Sequence, residues 1–256
     1  MQIHPAILRA IQKHEPGAAL TSHTSQPNVS SSTGKSYFTK VGSANEQEQF
    51  IAEAESLKAI HLAAPGLAPK VIECSIIDEE MAEHDTDIGE PIFVSEYKNI
   101  SSLTDASAKA LAKRIATELH EYKSTKGFGF HVPTYCGRTK QDNGWYESWE
   151  ECYDALIAGL LSKLEAEGSY GELCSKGEQY SPAQSLAIAR IFGGIPKSFF
   201  TIYHQYLPKS EPEEQYELRG DLYELYHYLN HTVLFGGSYS GSARAKMDKL
   251  LRAFTE

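Results

Sequence analysis

The chain has 256 residues, of which 41% are apolar, and a mean hydropathy of −0.39, values typical of a globular protein with a real core. A net charge of −10 and a pI near 5.5 argue against nucleic acid or an anionic membrane as the main partner, since both select for lysine and arginine patches. No basic segment followed by an apolar stretch opens the chain, and no apolar run approaches the ~20 residues of a membrane helix, so we expect a cytoplasmic protein.

Short strands and two helices are predicted in the first hundred residues. The strands are predicted at Ser36–Val41, Val71–Ile77 and Pro91–Tyr97. The helices are predicted at His4–Lys13, with Pro5 in the first turn, and at Asn45–His61, where apolar residues recur every three or four positions. The polar stretch from Thr21 to Lys35 is typical of a turn or hairpin loop, and the acidic run from Asp78 to Glu90 of a solvated loop.

Beyond Tyr97 the pattern predicts helices only. They are predicted at Ser107–Lys123, Trp145–Leu164, Pro182–Tyr206, Tyr216–His231 and Ser242–Phe254. Strands around one long helix, followed by helices alone, indicate an α+β fold with segregated parts and a boundary near Tyr97. We therefore predict two domains, residues 1–97 and 98–256.

Metal and disulfide sites are not expected from the cysteine and histidine spacing. Cys74, Cys136, Cys152 and Cys174 are far apart and include no C-x-x-C, which predicts free thiols. The chain also has no H-E-x-x-H, so His227 and His231 lack the further ligands that a zinc site needs.

Several segments, in a consistent order, carry a family resemblance. Residues 188–200 read IARIFGGIPKSFF, residues 222–231 read LYELYHYLNH, and residues 126–131 read KGFGFH ahead of Cys136-Gly137. They resemble the AIAxxFGGxxxSFF, LYxLxxYLNH and FGFH…CG segments of the fructosamine/ketosamine-3-kinase family. Asn143-Gly144-Trp145 and Trp149 resemble its tryptophan-containing segment. The likeness runs from about Ser36 to the end, with one gap.

The resemblance implies a protein-kinase-like fold. It would have a small mixed β-sheet N-lobe on the nucleotide side, residues 1–97, and a helical C-lobe, residues 98–256. The family's activity is the ATP-dependent phosphorylation of the 3-hydroxyl of ribulosamine or fructosamine adducts on protein amines, with magnesium. The implied cofactors are therefore ATP and Mg, and the implied partners are glycated proteins or small ketosamines.

The resemblance also assigns roles to particular residues. Lys40, on the strand predicted at Ser36–Val41, lies where the nucleotide lysine belongs, and Glu53, on the following helix, lies where its partner belongs, with Glu55 as the alternative. Glu96 and Tyr97 lie at the hinge, whose backbone would hold adenine. His231 is a candidate for substrate contact, and a core-packing histidine is the equally weighted alternative.

The stretch that carries the family's chemistry is missing from this chain. The family places His-Gly-Asp-Leu-Trp-x-x-Asn and a later Asp-Pro, which supply the catalytic aspartate and the magnesium ligands, before the segment that begins here at Ile188. Between about residues 165 and 187 the chain has no room for them, so the C-lobe is truncated internally. Arg219-Gly220-Asp221-Leu222-Tyr223 looks similar but opens a helix at the wrong end of the lobe, where Asp221 is interpreted as a first-turn acid favoured by the helix dipole.

We therefore predict no catalytic residues, no metal ligands, and little or no kinase activity. The alternative is a non-catalytic pseudokinase that binds nucleotide or acts as an interaction module.

Overall fold

The computed structural model describes residues 3–25, 28–177 and 195–255. The chain divides into two units, Met1–Ser102 and Leu103–Glu256. Among the described residues, no helix is both long enough and apolar enough to cross a membrane.

The first unit is a five-stranded sheet with two helices. The helices are α1 (Pro5–His14) and α2 (Gln47–Ala63), and the strands are β1 (Leu20–Ser22), β2 (Val29–Ser31), β3 (Ser36–Val41), β4 (Val71–Ile76) and β5 (Pro91–Glu96). The strand order is β1-β2-β3-β5-β4. The sheet was expected to be mixed, but its four pairings are all antiparallel.

Both predicted helices and all three predicted strands of this unit are confirmed. The polar stretch from Thr21 to Lys35 is more ordered than a loop, because it holds β2 and most of β1 as an antiparallel hairpin. Each of these strands has only three residues, which is too short for an alternating pattern to stand out in the sequence.

Side chains on β3 and β5 alternate between the two faces of the sheet. Tyr37 and Val94 pack in one apolar cluster with Ile7 and Ile11 of α1. Phe93 packs in a separate cluster with residues of α2. The sheet thus has α1 packed against one face and α2 against the other, and the second face is the one that carries the candidate site.

An acidic side chain joins α1 to the turn between β2 and β3. Glu15, just after α1, forms an ion pair with Lys35 at 2.5 Å and accepts a hydrogen bond from the Thr33 hydroxyl at 3.0 Å. The hydrogen bond from Lys35 is the main reason that the pKa of Glu15 is lowered to about 2. The carboxylate is therefore charged throughout the neutral range and anchors the helix to the hairpin.

The second unit is mainly helical. Its helices are α3 (Asp105–Arg114), which continues as a π-helical turn (Ile115–Leu119), α4 (Trp149–Ala166), α5 (Gly171–Gly177), α6 (Lys197–Tyr206), α7 (Tyr216–Phe235) and α8 (Ser238–Thr255). Its strands are β6 (Phe128–Gly129), β7 (Thr134–Cys136), β8 (Thr139–Gln141) and β9 (Trp145–Tyr146), which pair as β6-β9 and β7-β8.

The prediction of helices only beyond Tyr97 was wrong between residues 128 and 146. Trp145, predicted to open a long helix, lies in β9, and α4 begins four residues later at Trp149. The helix starts there because the Ser148 side chain accepts a hydrogen bond from the backbone N–H of Glu151 and caps the first turn. Strands of two or three residues carry no readable period, so the sequence pattern missed them.

Other helix ends also shift. The helix predicted from Ser107 begins at Asp105, because Thr104 caps it through the Ser107 N–H, and its helical turns end at Leu119 rather than Lys123. The predicted helix Pro182–Tyr206 lies partly outside the described residues, and its described part starts only at Lys197, after Pro196. The predicted gap between about 165 and 187 also falls partly outside them; its described part holds α5, a helix that the glycine-rich sequence did not indicate.

Two apolar clusters support the second unit. The larger one joins α4, α5, α7 and α8, and its fully buried members include Leu160, Leu164, Leu225, Leu229 and Met247. The smaller one packs alanines of α3 against Phe199 and Tyr203 of α6. The described part of this unit therefore has two separate apolar cores between its helices.

Gly159 offers a test of the α4 packing. A Cβ added at Gly159 would meet no atom within 4 Å, and the residue lies in the interior of α4. We expect Gly159→Ala to raise the free energy of unfolding by about 0.5–1 kcal/mol, because glycine loses more conformational entropy than alanine when it folds into a helix. Urea denaturation followed by circular dichroism measures the change.

Gly129 is the matched control, because a Cβ there would lie 1.8 Å from the Gly144 carbonyl oxygen. We expect Gly129→Ala to destabilise the protein. A loss of stability in Gly159→Ala would contradict the open space seen around that position.

Candidate functional site

Lys40 and Glu53 meet on the α2 face of the sheet. Lys40 lies on β3 and Glu53 lies in the second turn of α2, and the Lys40 ammonium donates a hydrogen bond to the Glu53 carboxylate. Glu55, the alternative partner, forms an ion pair with Lys58 of its own helix at 2.7 Å. The structure therefore brings Lys40 together with Glu53.

Two phenylalanine rings also surround the Lys40 ammonium. Its nitrogen lies 4.4 Å from the centroid of the Phe50 ring and 5.1 Å from that of the Phe93 ring. The Lys40 side chain is 29% exposed and that of Glu53 is 40% exposed, so solvent screens their ion pair. At such a partly exposed site each ring contributes about 0.5–1 kcal/mol, comparable to the ion pair itself.

Neither ring was expected beside Lys40 from the sequence. Two signals could have found them: Phe50 lies three residues before Glu53 and so shares its side of the helix, and Phe93 pairs directly with Lys40 across β3 and β5. The pairing depends on strand register, which the sequence alone did not reveal.

The hinge residues Glu96 and Tyr97 lie at and just beyond the end of β5. The Glu96 N–H donates to the Lys70 carbonyl at 2.9 Å, and the Tyr97 N–H donates to the Ser36 carbonyl at 3.0 Å. The Glu96 carboxylate pairs with Lys98 at 2.8 Å, which lowers its pKa. Both backbone N–H groups are thus already bonded within this unit, and an adenine ring here would need carbonyl oxygens or N–H groups beyond Tyr97.

His231 lies on α7 and is half-buried. Its Nδ1 lies 2.7 Å from the His227 carbonyl oxygen, and its ring contacts the rings of Phe235 and Tyr239 at centroid distances of 5.6 and 5.1 Å. Burial, and then the neighbouring His231, lowers the pKa of His227 to about 4. Packing against aromatic neighbours is therefore observed for His231, and its contact with substrate stays a prediction.

The prediction that Asp221 lies in the first turn of its helix was wrong. Asp221 lies in the second turn of α7, is 2% exposed, and its carboxylate forms ion pairs with Lys246, at 2.5 Å, and Lys249 of α8. Lys246 also pairs with Glu224 at 2.5 Å. Burial raises the pKa of Asp221, but the hydrogen bonds from the two lysines outweigh it and hold the pKa below its usual value. Asp221 therefore links α7 to α8 through these ion pairs.

One group of three potential metal ligands comes together within the described ranges: His4, Asp87 and Glu90. His4 Nδ1 accepts a hydrogen bond from the Ala6 N–H at the start of α1. Asp87 accepts one from the His84 N–H at 3.0 Å, and this bond is the main cause of its lowered pKa. These two side chains already cap local backbone groups, which explains their positions without an ion.

The sequence model of the fructosamine kinase family matches residues 3–173 and 181–253. This chain belongs to the fructosamine kinase family. Its membership confirms the resemblance seen in the sequence, and a family of kinases implies ATP and a divalent metal as cofactors in general.

Named relatives agree with this membership. A probable ketoamine kinase of Synechocystis is 26% identical, with 84% of this chain and 83% of that protein aligned. A ketosamine-3-kinase of Mus musculus is 32% identical over 45% of this chain and 51% of that protein. A chloroplastic protein-ribulosamine 3-kinase of Arabidopsis thaliana is 30% identical over 56% of each chain.

The fold is shared with solved structures at lower identity. A structure assigned as a fructosamine-3-kinase of Haemophilus somnus superposes with a TM-score of 0.73 at 17% identity, covering 96% of each chain. One from Thermobifida fusca gives a TM-score of 0.69 at 17% identity, covering 98% of this chain and all of that one. The predicted α+β, protein-kinase-like fold is confirmed for this member of the fructosamine kinase family.

Proposed function

We propose that this chain is a fructosamine kinase family member that has lost phosphoryl transfer to ketosamines. The family reaction would place a phosphate on the 3-hydroxyl of a ribulosamine or fructosamine adduct of a protein amine. Such a transfer needs acids that hold magnesium and one that orients the attacking hydroxyl. The observation that carries the proposal is that no aspartate of this chain has an asparagine five positions later, the spacing of a kinase catalytic loop.

The aspartates that follow Trp149 do not offer a substitute. They are Asp154 on α4, Asp221 on α7 and Asp248 on α8. Asp221 resembles the family's His-Gly-Asp motif in sequence, but its carboxylate is buried and paired with two lysines. Its charge is already used to join α7 to α8, which supports a structural role.

The pattern of the family match supports a missing segment. The match breaks between residues 173 and 181, inside the stretch from about 165 to 187 where the family motif is lacking. The alignment to the Synechocystis relative spans 259 positions but takes in only 84% of this chain of 256 residues. Within the aligned region, the relative therefore has residues that fall opposite gaps in this chain.

Of the two expected cofactors, ATP finds a suitable binding group in this chain and magnesium does not. Lys40, held by Glu53, suits the phosphates of ATP, because a fixed ammonium can neutralise their charge. Magnesium ligands of the family's kind are lacking in the sequence, so we derive no step through that ion. The chain's own contribution would be to hold a nucleotide phosphate at the Lys40 ammonium.

The proposal is tested by measuring ketosamine phosphorylation at high enzyme concentration. The purified chain is mixed with a small ribulosamine or fructosamine, ATP and magnesium, and the phosphorylated sugar is followed by mass spectrometry. We expect no turnover above the background without protein. ATP-dependent product that grows in proportion to protein concentration, and that is absent from a heat-denatured sample, would overturn the proposal.

A second candidate function is a non-catalytic module that binds nucleotide. It is favoured by the Lys40–Glu53 ion pair, which holds a cation on the α2 face of the sheet. Such a protein would bind ATP without needing magnesium, and could still recognise glycated proteins or small ketosamines. A cytoplasmic location remains part of this proposal.

A further inference from the structure

We infer that Phe50 is the positioning residue that holds the Lys40 ammonium against Glu53. The inference deepens the proposed nucleotide site, since it concerns what keeps that site formed, but its first test needs no nucleotide. It predicts that the ion pair persists in the free protein because packing holds α2 in place.

The position of the Phe50 ring gives the first support. Phe50 is 5% exposed and its ring centroid lies 4.4 Å from Lys40 Nζ, so the ammonium lies against a π-face that has little contact with water. Glu53 lies three residues later on the same helix, so the rotation of α2 that presents the ring also presents the carboxylate. One residue thus contacts the cation and sets the direction of its anionic partner.

Gly42 supplies the space that the ring occupies. A Cβ at Gly42 would lie 2.6 Å from Cε2 and 2.7 Å from Cζ of Phe50, closer than such atoms can approach. Gly42 follows β3 directly, two residues after Lys40. The absence of a side chain at this position therefore allows the ring to lie over the end of the strand beside the ammonium.

Two further contacts hold the first half of α2 on the sheet. The Cys74 thiol of β4 donates a hydrogen bond to the Phe50 carbonyl oxygen at 3.5 Å. The Gln47 side chain donates to the Gly89 carbonyl oxygen at 2.6 Å. Phe50 is thus fixed through both its ring and its backbone, and α2 is anchored to β4 and to the segment just before β5.

The experiment measures how readily Lys40 reacts with trace acetic anhydride, with Lys35 as the internal reference in the same digest. The two lysine side chains are 29% and 58% exposed. In Phe50→Leu, which keeps an apolar side chain but removes the ring, we expect the Lys40 rate relative to Lys35 to rise on the order of fivefold. Gly42→Ala should give a rise in the same direction with Phe50 unchanged, because the added methyl displaces the ring.

Leu57→Val is the matched control, because Leu57 belongs to the same apolar cluster on α2. It should lower stability while leaving the Lys40 rate within about twofold of the parent. An unchanged Lys40 rate in both Phe50→Leu and Gly42→Ala would overturn the inference, and so would an equal rise in Leu57→Val.

A second measurement separates this inference from the proposed function. Titration with a fluorescent ATP analogue should show weaker binding in Phe50→Leu than in the parent and in Leu57→Val. If the parent binds no nucleotide, the nucleotide-binding candidate fails while the labelling result still decides the role of Phe50. If the parent binds and Phe50→Leu binds equally well, Phe50 does not position the lysine for nucleotide.

Discussion

Replacing Asp221 by alanine is expected to lower the free energy of unfolding by about 3 kcal/mol, near the lower end of the range for breaking a buried ion pair. Asp221 is 2% exposed, and its carboxylate pairs with Lys246 and Lys249 of α8. The loss stays at the lower end because Lys249 is 58% exposed and regains water, while Lys246 keeps its pairing with Glu224. Urea denaturation of the full chain, followed by circular dichroism, measures it.

Two further variants show whether the effect belongs to the buried carboxylate. Lys249→Ala removes only the exposed partner and should cost about 0.5–1 kcal/mol. Asp221→Asn keeps the shape but not the charge, and should also destabilise the protein. If Asp221→Asn had the same urea midpoint of unfolding as the parent, the buried charge of Asp221 would not stabilise the contact between α7 and α8. The resemblance of its neighbourhood to the family's catalytic motif would then need a different explanation.

The same carboxylate predicts a pH dependence. The folded-state pKa of Asp221 is below its ordinary value of 3.8, since the lysine hydrogen bonds outweigh burial. The stability that the charged Asp221 contributes is therefore present at pH values above its ordinary pKa. It is lost as the pH falls below that pKa towards the pKa of the folded state. Between about pH 5 and the acid limit, stability should fall less steeply in Asp221→Asn than in the parent.

Replacing Lys40 by alanine is expected to weaken magnesium-free ATP binding at least about tenfold, the factor that corresponds to losing one charge-assisted hydrogen bond. Under the proposed function this lysine is the cation that would bind phosphate, and Glu53 holds it on the α2 face of the sheet. Titration with a fluorescent ATP analogue in the presence of a chelator measures the effect. The thermal shift caused by ATP should be lost in parallel.

Lys58→Ala is the control, because Lys58 lies on α2 and pairs with Glu55 at 2.7 Å. It should bind nucleotide as the parent does. Equal binding by the parent and Lys40→Ala would remove Lys40 from the site. Absence of binding by the parent at millimolar ATP would remove the nucleotide-binding candidate and leave the loss of phosphoryl transfer unaffected.

Much of the fold could be predicted because its long elements have a clear period. The apolar spacing in α2 and the β-rich run of β3 identified both elements nearly to the residue. The short strands between residues 128 and 146 could not be found, because two or three residues do not establish an alternation. The helix starts at Asp105 and Trp149 depended on capping hydrogen bonds to Thr104 and Ser148, which the apolar pattern does not reveal.

The sequence by itself determined which chemical groups this protein has and how far apart they lie along the chain. That no aspartate is followed by an asparagine at catalytic spacing is a property of the covalent order, and no folding can change it. Only the tertiary structure decided that Glu53 rather than Glu55 meets Lys40, that Phe50 and Phe93 surround the ammonium, and that Asp221 is buried against α8. These contacts depend on strand register, helix rotation and packing between distant segments, which neighbours in the chain do not specify.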